Sequence, residues 1–277
     1  MKALITGASS GIGRDIAKYL SNMGYECILV ARSKDKLKEL ANELQTKSVI
    51  KSYDLSKVDN CYKLYDEVKD MDIDVLVNGA GFGLFGNTWE TDLDRELEMI
   101  NLNIVSLHIL TKLFLKDMIK KDKGYIMNIA SSAGFLAGPY LNTYYASKNY
   151  VTKWTMALYE ELRRVKSNVV ISCLCPGPVE TNFNNVAGGS FVIKGLKSED
   201  VAKYAVDKMF KKGEDMFDAF IKGKKVFARV TPLQKLKIVE FKSIKAPALE
   251  SFWDANAVLG EEDPGFDTIH NQYDLFG

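Results

Sequence analysis

Short apolar segments alternate with longer amphipathic segments along the first 175 residues of the chain. Segments that are apolar on both faces are typical of strands covered on both sides of a parallel sheet, and amphipathic segments between them are typical of helices packed on that sheet. The alternation therefore predicts an α/β fold with a doubly wound parallel sheet in three layers, α/β/α. The predicted strands are 1–6, 25–31, 48–53, 74–78, 124–130 and 169–175, and the predicted helices are 11–23, 33–45, 57–69, 92–121 and 144–166.

The remainder of the chain departs from this alternation. Residues 176–195 are rich in Pro, Gly and Asn, which predicts a loop with a short helix, and we expect residues 182–196 to form a lid over a substrate pocket. Residues 251–277 contain six acidic residues and no Lys or Arg. We therefore predict one domain over residues 1–245, followed by an acidic extension, 246–277, that is not a separate domain.

Composition and charge narrow the class of protein. The chain has 277 residues, 47% of them hydrophobic, which suffices for one domain with a full core. Its 37 basic and 36 acidic residues leave a net charge of +1, which gives no reason to expect nucleic acid as a partner. We see no apolar run of membrane-spanning length and no secretory signal, so a cytoplasmic protein is expected. Residues 221–245, with eight basic residues and one acid, are interpreted as a solvated helix rather than a membrane contact.

The cysteines and histidines do not form a recognisable chemical centre. The four cysteines are Cys27, Cys61, Cys173 and Cys175. They lie in strand-like or helical segments without a CxxC pair, which predicts small buried thiols. The two histidines, His108 and His270, neighbour neither a nucleophile nor a second ligand. This argues against a Ser-His-Asp triad and against a metal site.

A glycine-rich turn with the sequence TGASSGIG, residues 6–13, follows the first predicted strand and begins the first predicted helix. Glycine lets the backbone approach a pyrophosphate closely, and the helix N-terminus adds free N–H groups with a partial positive charge. The turn therefore predicts a dinucleotide site. Tight turns require glycine anyway, so the signal is weak without its context.

The spacing of this turn resembles the T-G-x-x-x-G-x-G pattern of the short-chain dehydrogenase/reductase (SDR) family rather than the general G-x-G-x-x-G fingerprint. Further motifs stand in the order of that family. They are Asn78-Gly79-Ala80-Gly81 with Gly79 in place of the family's second Asn, Asn103, Ser131, the Y-x-x-x-K pair Tyr144 and Lys148, and Pro176-Gly177 followed by Thr181. The resemblance covers roughly residues 1–240. It implies the Rossmann fold of the compact, single-domain branch.

The end of the second predicted strand bears on the choice between NAD and NADP. In NAD-preferring relatives an acid at this point holds the ribose hydroxyls, whereas this chain has Arg32 and Ser33 there. The guanidinium of Arg32 can bind a 2′-phosphate, which favours NADP(H), although Arg32 could also be only a solvated residue. Many NADP-preferring relatives have a second basic residue where this chain has Ser10, and we do not take Arg14 as its substitute.

The resemblance assigns a larger set of residues to the cofactor. Asp54 resembles the family's adenine-contacting Asp, and the segment from Pro176 to Thr181 resembles the one that holds the nicotinamide carboxamide. The cofactor-binding residues expected from the resemblance are Gly7, Ser9, Ser10, Gly11, Ile12, Gly13, Arg32, Asp54, Leu55, Asn78, Ala80, Gly81, Tyr144, Lys148, Pro176, Gly177, Val179 and Thr181.

Tyr144 and Lys148 are four residues apart on a predicted helix and therefore share one face. A free phenol, with a pKa of about 10, is a poor acid–base group at neutral pH. A fixed ammonium nearby and the cationic oxidised nicotinamide would both lower that pKa, so Tyr144 is the predicted general acid and base. Tyr145 lacks such a partner, because its neighbour four residues on is Asn149.

The resemblance supplies two more catalytic residues. Ser131 would orient the substrate's carbonyl oxygen, with Ser132 as the second choice. Asn103, preferred to Asn101, would hold a water molecule that links Lys148 to solvent. With Tyr144 these residues complete the family's Asn-Ser-Tyr-Lys set.

Together these features predict an NADPH-dependent reductase that converts a ketone or aldehyde to an alcohol by reversible hydride transfer. The main alternative is a regulatory protein that binds NADP(H) without turnover; an epimerase or dehydratase would usually have a longer substrate domain. We expect a hydrophobic carbonyl substrate and, from the resemblance, a homo-oligomer, a dimer or tetramer. The residues expected around the substrate are Phe82, Phe85, Phe135, Leu136, Tyr140, Phe183 and Phe191.

Overall fold

Six parallel strands form the central sheet of the computed structural model, which describes residues 1–188 and 195–210 of the chain. The strands are β1 (Lys2–Thr6), β2 (Glu26–Ala31), β3 (Ser48–Ser52), β4 (Val75–Asn78), β5 (Tyr125–Ile129) and β6 (Val170–Leu174). They lie in the order β3-β2-β1-β4-β5-β6, so the strand order reverses between β1 and β4. This doubly wound order confirms the predicted fold class.

Helices connect the strands and cover both faces of the sheet. They are α1 (Gly11–Asn22), α2 (Lys34–Glu43), α3 (Val58–Val68), α4 (Leu93–Ile100), α5 (Leu107–Lys121), α6 (Asn142–Arg164), α7 (Phe183–Ala187) and α8 (Ser198–Met209). Side chains alternate along a strand, so Ala3 and Ile5 of β1 join the core beneath α1, α2 and α8, while Leu4 joins the core beneath α3 to α6. Burial on both faces explains why the central strands are apolar almost throughout.

The helical stretch from Leu93 to Lys121 is continuous, because a π-helical segment, Asn101–Ser106, joins α4 to α5. The stretch begins at Asp92, whose carboxylate accepts a hydrogen bond of 2.8 Å from the backbone N–H of Arg95. Its length and hydropathy alone would let it span a membrane, contrary to the expectation that no run is long enough. Its buried side, including Phe114, packs into the core beneath the sheet, as in the core helix of a globular domain.

Helix α8 was not predicted from the sequence. Val201, Ala205 and Met209, spaced four residues apart, are buried against the sheet in the same core as α1. Two short strands, β7 (Val179–Glu180) and β8 (Leu196–Lys197), pair in parallel at the two ends of the predicted lid. The short α7 agrees with the helix expected in that region. Residues 189–194 of the lid, the basic segment 221–245, the boundary at 245 and the acidic extension lie outside the described residues.

The four cysteines are buried, as expected for small core thiols. Burial raises the pKa of Cys27 to about 12 and that of Cys61 to about 11, so both remain protonated at neutral pH. His108 is half-buried, with its Nδ1 2.7 Å from the Tyr150 hydroxyl and its ring stacked on Trp154. These contacts agree with a structural role for His108, whereas His270 lies outside the described residues.

Candidate active site

A cavity of about 550 Å³ opens at the carboxyl edge of the sheet, where the strand order reverses between β1 and β4. Ligands of doubly wound proteins bind in this crevice, because the connections on either side run to opposite faces of the sheet. The glycine turn forms one wall, and the ends of β2, β5 and β6 with the start of α6 form the others. Every predicted cofactor-binding residue except Asn78 lines the cavity.

The glycine turn needs glycine at two positions for lack of space. A Cβ on Gly7, whose φ is +70°, would lie 2.6 Å from the carbonyl oxygen of Gly79. A Cβ on Gly13 would lie 2.6 Å from the carbonyl oxygen of Gly7. Ser10 precedes α1 without a side-chain cap, so the first N–H groups of the helix remain available to a phosphate.

The side chains of Thr6 on β1 and Asn78 on β4 fix the backbone beneath the cavity. The Thr6 hydroxyl accepts hydrogen bonds from the N–H groups of Gly79 (3.0 Å) and Ala80 (3.2 Å), which ties the ends of β1 and β4 together. Asn78 is buried, and its amide donates to Thr111 and to Asn128, both at 2.9 Å. The Asn78 side chain does not line the cavity and is turned into the layer between β4 and α5, so its contact with the cofactor stays a prediction.

Cationic side chains lie at the β2 end of the cavity. Arg32 and Lys36 both line it, and sequence reasoning missed Lys36, which follows Arg32 by four residues on α2. The two residues directly after β2, Arg32 and Ser33, include no acid, but folding brings Glu98 of α4 to 3.0 Å from Arg32. Arg14 instead pairs with Glu43. Sequence reasoning did not find this acid, because Glu98 lies 66 residues away from Arg32 along the chain.

The residues that line the cavity fit a dinucleotide. A Cβ on Gly11 would come within 3.0 Å of the Thr181 methyl carbon, so glycine keeps the passage between these two walls open. Asp54 also lines the cavity, with its carboxylate held by the N–H and hydroxyl of Ser56 at 3.1 and 2.8 Å. Cations at one end, open backbone N–H groups in the middle and polar side chains at the other end fit the phosphates and polar groups of a dinucleotide.

Ser131, Tyr144 and Lys148 meet at the far end of the cavity. The Lys148 ammonium lies 5.8 Å from the centre of the Tyr144 ring and donates a hydrogen bond of 2.8 Å to the carbonyl oxygen of Ile129. The Ser131 oxygen accepts from the N–H of Ala133 at 3.2 Å, which holds the serine at the start of a short 3₁₀ turn. The geometry thus brings together three of the four predicted catalytic residues.

Burial controls the acidity of this pair. Burial raises the pKa of Tyr144 to about 12, and its interaction with Ser131 opposes that change only in part. Burial lowers the pKa of Lys148 to about 8. The expected lowering of the phenol pKa is therefore not found in the protein alone, because the loss of hydration on burial outweighs the hydrogen bond with Ser131.

Asn103 lies in the π-helical segment, is buried and does not line the cavity. Its side chain accepts from the N–H of Phe82 (3.1 Å) and donates to the carbonyl oxygen of Phe82 (2.9 Å) and to the Ser147 hydroxyl (3.1 Å). A Cβ on Gly81 would lie 2.9 Å from the Asn103 oxygen and 3.6 Å from the Lys148 nitrogen. The Asn103 side chain therefore positions the backbone beside Lys148.

The predicted substrate pocket is only partly found. Phe82 and Phe183 line the cavity, and the Phe183 ring lies 5.1 Å from that of Tyr144. The other described candidates do not line it: Phe85 and Tyr140 stack on each other with ring centres 5.8 Å apart, Phe135 packs against a separate apolar cluster, and Leu136 is exposed. Phe191 lies outside the described residues.

Comparisons with known proteins agree with this site. Very-long-chain 3-oxoacyl-CoA reductase of Rattus norvegicus is 33% identical over 192 residues, which are 66% of this chain and 61% of that protein. An uncharacterized oxidoreductase of Staphylococcus saprophyticus is 32% identical over 210 residues, 74% of this chain and 88% of its own. The chain thus spans about three-fifths of the length of the reductases that it matches.

Solved structures give the same result. The closed form of serine dehydrogenase complexed with NADP⁺ superimposes with a TM-score of 0.68 at 27% identity, covering 74% of this chain and 88% of that one. An alcohol dehydrogenase from Thermococcus sibiricus, complexed with 5-hydroxy-NADP, gives 0.67 at 28% identity, covering 77% and 92%. Residues 1–188 match the family described as short chain dehydrogenase. The chain therefore belongs to the short-chain dehydrogenase/reductase family.

Proposed function

We propose that this protein is an oxidoreductase that uses NADP(H) and reduces a ketone or aldehyde to an alcohol. The observation that carries the proposal is one cavity with Ser131, Tyr144 and Lys148 at one end and the cations Arg32 and Lys36 at the other. The residues of the glycine turn and of the segment 176–181 would hold the cofactor between these ends. When bound, NADPH supplies the hydride for the reduction.

The protein's own part is to deliver a proton and stabilise charge. With a pKa of about 12, the Tyr144 hydroxyl is protonated at neutral pH and can donate its proton to the carbonyl oxygen. With a pKa of about 8, Lys148 is mostly cationic at neutral pH and can stabilise the resulting phenolate. Ser131 can donate a hydrogen bond to the same carbonyl oxygen. Oxidation of the alcohol uses the same groups in reverse.

A hydrophobic carbonyl compound is the substrate class we propose. Phe82 and Phe183 line the cavity near Tyr144, and apolar walls favour an apolar substrate. The reductase relatives are named for acyl chains that carry a ketone, and an apolar wall suits such a chain. The alternative of a non-catalytic NADP(H)-binding protein gains no support from these relatives. We also propose a homo-oligomer, since the family is generally oligomeric.

Turnover assays test the reaction directly. A panel of ketones, aldehydes and 3-oxoacyl thioesters is incubated with NADPH or NADH, and loss of the reduced nicotinamide is followed by absorbance. We expect turnover with NADPH and at least a hundredfold loss in Tyr144→Phe, because the phenol is the proton donor. Tyr145→Phe is the matched control and should keep most of the activity. Normal turnover by Tyr144→Phe would contradict the mechanism, and equal use of both cofactors would contradict the NADP preference.

A further inference from the structure

Two arginines share the carboxylate of Glu98 beside the cavity. Arg32, on the cavity wall, places Nη1 3.0 Å from one oxygen of Glu98, and Arg95 pairs with the other oxygen. The Arg32 side chain is 55% exposed, whereas that of Glu98 is only 25% exposed. Arg32 can therefore turn towards a ligand more easily than Glu98 can follow it.

Arg95 holds Glu98 in place through its own contacts. Its guanidinium carbon lies 4.0 Å from the centre of the Phe82 ring. The backbone of Phe82 is in turn fixed on both sides by Asn103. When Arg32 leaves Glu98 for another anion, the carboxylate keeps Arg95 as its partner, so the exchange leaves no unpaired charge behind.

The phosphate that distinguishes NADP from NAD would compete with this arrangement. A 2′-phosphate would bind the Arg32 guanidinium, which already pairs with Glu98. The negative phosphate would then lie close to the negative carboxylate of Glu98 and be repelled by it. Lys36, on the same side of the cavity, adds attraction but does not remove that repulsion. The carboxylate therefore opposes the very contact that the proposed cofactor needs.

We propose that Glu98 is a specificity-determining residue, which competes with the 2′-phosphate for Arg32 and thereby limits the preference for NADP over NAD. This inference rests on the proposed use of NADP(H). It assigns the effect to an acid that lies far from the cofactor motifs in the sequence.

Binding of two nucleotides to the full-length protein tests the proposal without any turnover. Isothermal titration calorimetry would measure the affinity for 2′,5′-ADP, which carries the phosphate, and for 5′-AMP, which lacks it. For Glu98→Gln we expect roughly three- to tenfold tighter binding of 2′,5′-ADP at low salt, with 5′-AMP unchanged within about twofold. The gain should shrink as the salt concentration rises, because added ions screen the removed repulsion.

Three further variants complete the test. Glu96→Gln removes an acid from the same helix, but its carboxylate bonds with Thr91 and Thr143, so 2′,5′-ADP binding should not change. Arg95→Gln leaves Glu98 to Arg32 alone and should weaken 2′,5′-ADP binding. The double variant of residues 95 and 98 should behave like Glu98→Gln, because the effect of Arg95 passes through Glu98.

The outcomes separate this inference from the proposed function. Unchanged or weaker binding of 2′,5′-ADP by Glu98→Gln would overturn the inference and show that Glu98 only positions Arg32. Equal binding of both nucleotides by the wild-type protein would overturn the NADP preference. If Glu98→Gln then acquired a preference for 2′,5′-ADP, the competition by Glu98 would still stand.

Discussion

The acid–base pair of the site illustrates what spacing along a chain predicts for single residues. The separation of four residues placed Tyr144 and Lys148 on one face of a helix, and the structure has them at one end of the cavity. The spacing could not predict the pKa values of these two residues, because the pKa values depend on burial by segments distant in sequence. The same limit applies to Glu98 and Arg32, whose contact depends on how α4 packs beside the end of β2.

Replacing Lys148 by Met should stabilise the cofactor-free protein at neutral pH. Burial lowers the pKa of Lys148 from 10.5 to about 8, which costs the folded protein roughly 3 kcal/mol below pH 8. The variant loses the hydrogen bond to Ile129, which destabilises it by about 1 kcal/mol. We therefore expect a net increase of about 2 kcal/mol in the free energy of unfolding at pH 7. Chemical denaturation monitored by circular dichroism would measure it.

The pH dependence of this gain distinguishes its cause. Between pH 8 and 10.5 the folded protein has lost the Lys148 proton while the unfolded chain retains it, so wild-type stability rises relative to the variant. The advantage of Lys148→Met should therefore vanish across that range. Lys153→Met, at an exposed position on the same helix, should change stability by less than about 0.5 kcal/mol. A destabilised Lys148→Met at pH 7 would contradict the account.

Elements with a regular period were predictable, and the exceptions have physical reasons. The strands and the first long helices followed from apolar periodicity, with ends that shifted by a few residues. The π-helical segment at 101–106 has no such signature, because its altered hydrogen bonding does not change which residues are apolar. Helix α8 was missed although Val201, Ala205 and Met209 have helical spacing, because it is only 12 residues long and follows an irregular segment rich in Pro, Gly and Asn.

Asn103 should contribute more to the free energy of unfolding than Asn101, which lies in the same π-helical segment. Asn103→Ala would leave the buried N–H and carbonyl groups of Phe82 without their partners, so we expect a loss of about 3 kcal/mol. Asn101→Ala, at a half-buried position in the same segment, is the control and should cost less than about 1 kcal/mol. Urea unfolding of both variants would compare them, and equal losses would refute a special role for Asn103.

At the scale of the whole molecule, topology was the most predictable property. Parallel strands joined by helices allow few arrangements, and the cavity then lies where the strand order reverses. The rim of the cavity was less predictable. Phe85 and Tyr140 come from separate loops and pack on each other instead of lining the cavity, an arrangement that depends on loop geometry rather than on periodicity.

Assembly can be tested at the start of α4. Leu93 and Leu97 of α4 and Trp89 in the turn before it are exposed, with Trp89 at 82%. Exposed apolar groups of this kind often mark contacts between proteins, so replacing Leu93 and Leu97 together by Lys should lower the molar mass in solution to that of a single chain. Light scattering after size-exclusion chromatography would measure the molar mass.

Val165→Lys, at an exposed position after α6, is the control. A wild-type protein that elutes as a monomer would contradict the proposed homo-oligomer.

Tyr144 and Lys148 both belong to α6, while Phe183 of the substrate wall belongs to α7. The helix α6 thus fixes the distance between the proposed proton donor Tyr144 and the Lys148 ammonium, whatever the neighbouring loops do. Mutations that reshape the α7 wall can then alter which compounds are accepted without disturbing that spacing. Substrate selectivity and proton transfer therefore depend on different helices. Directed evolution toward new substrates should begin at Phe183 and leave α6 unchanged.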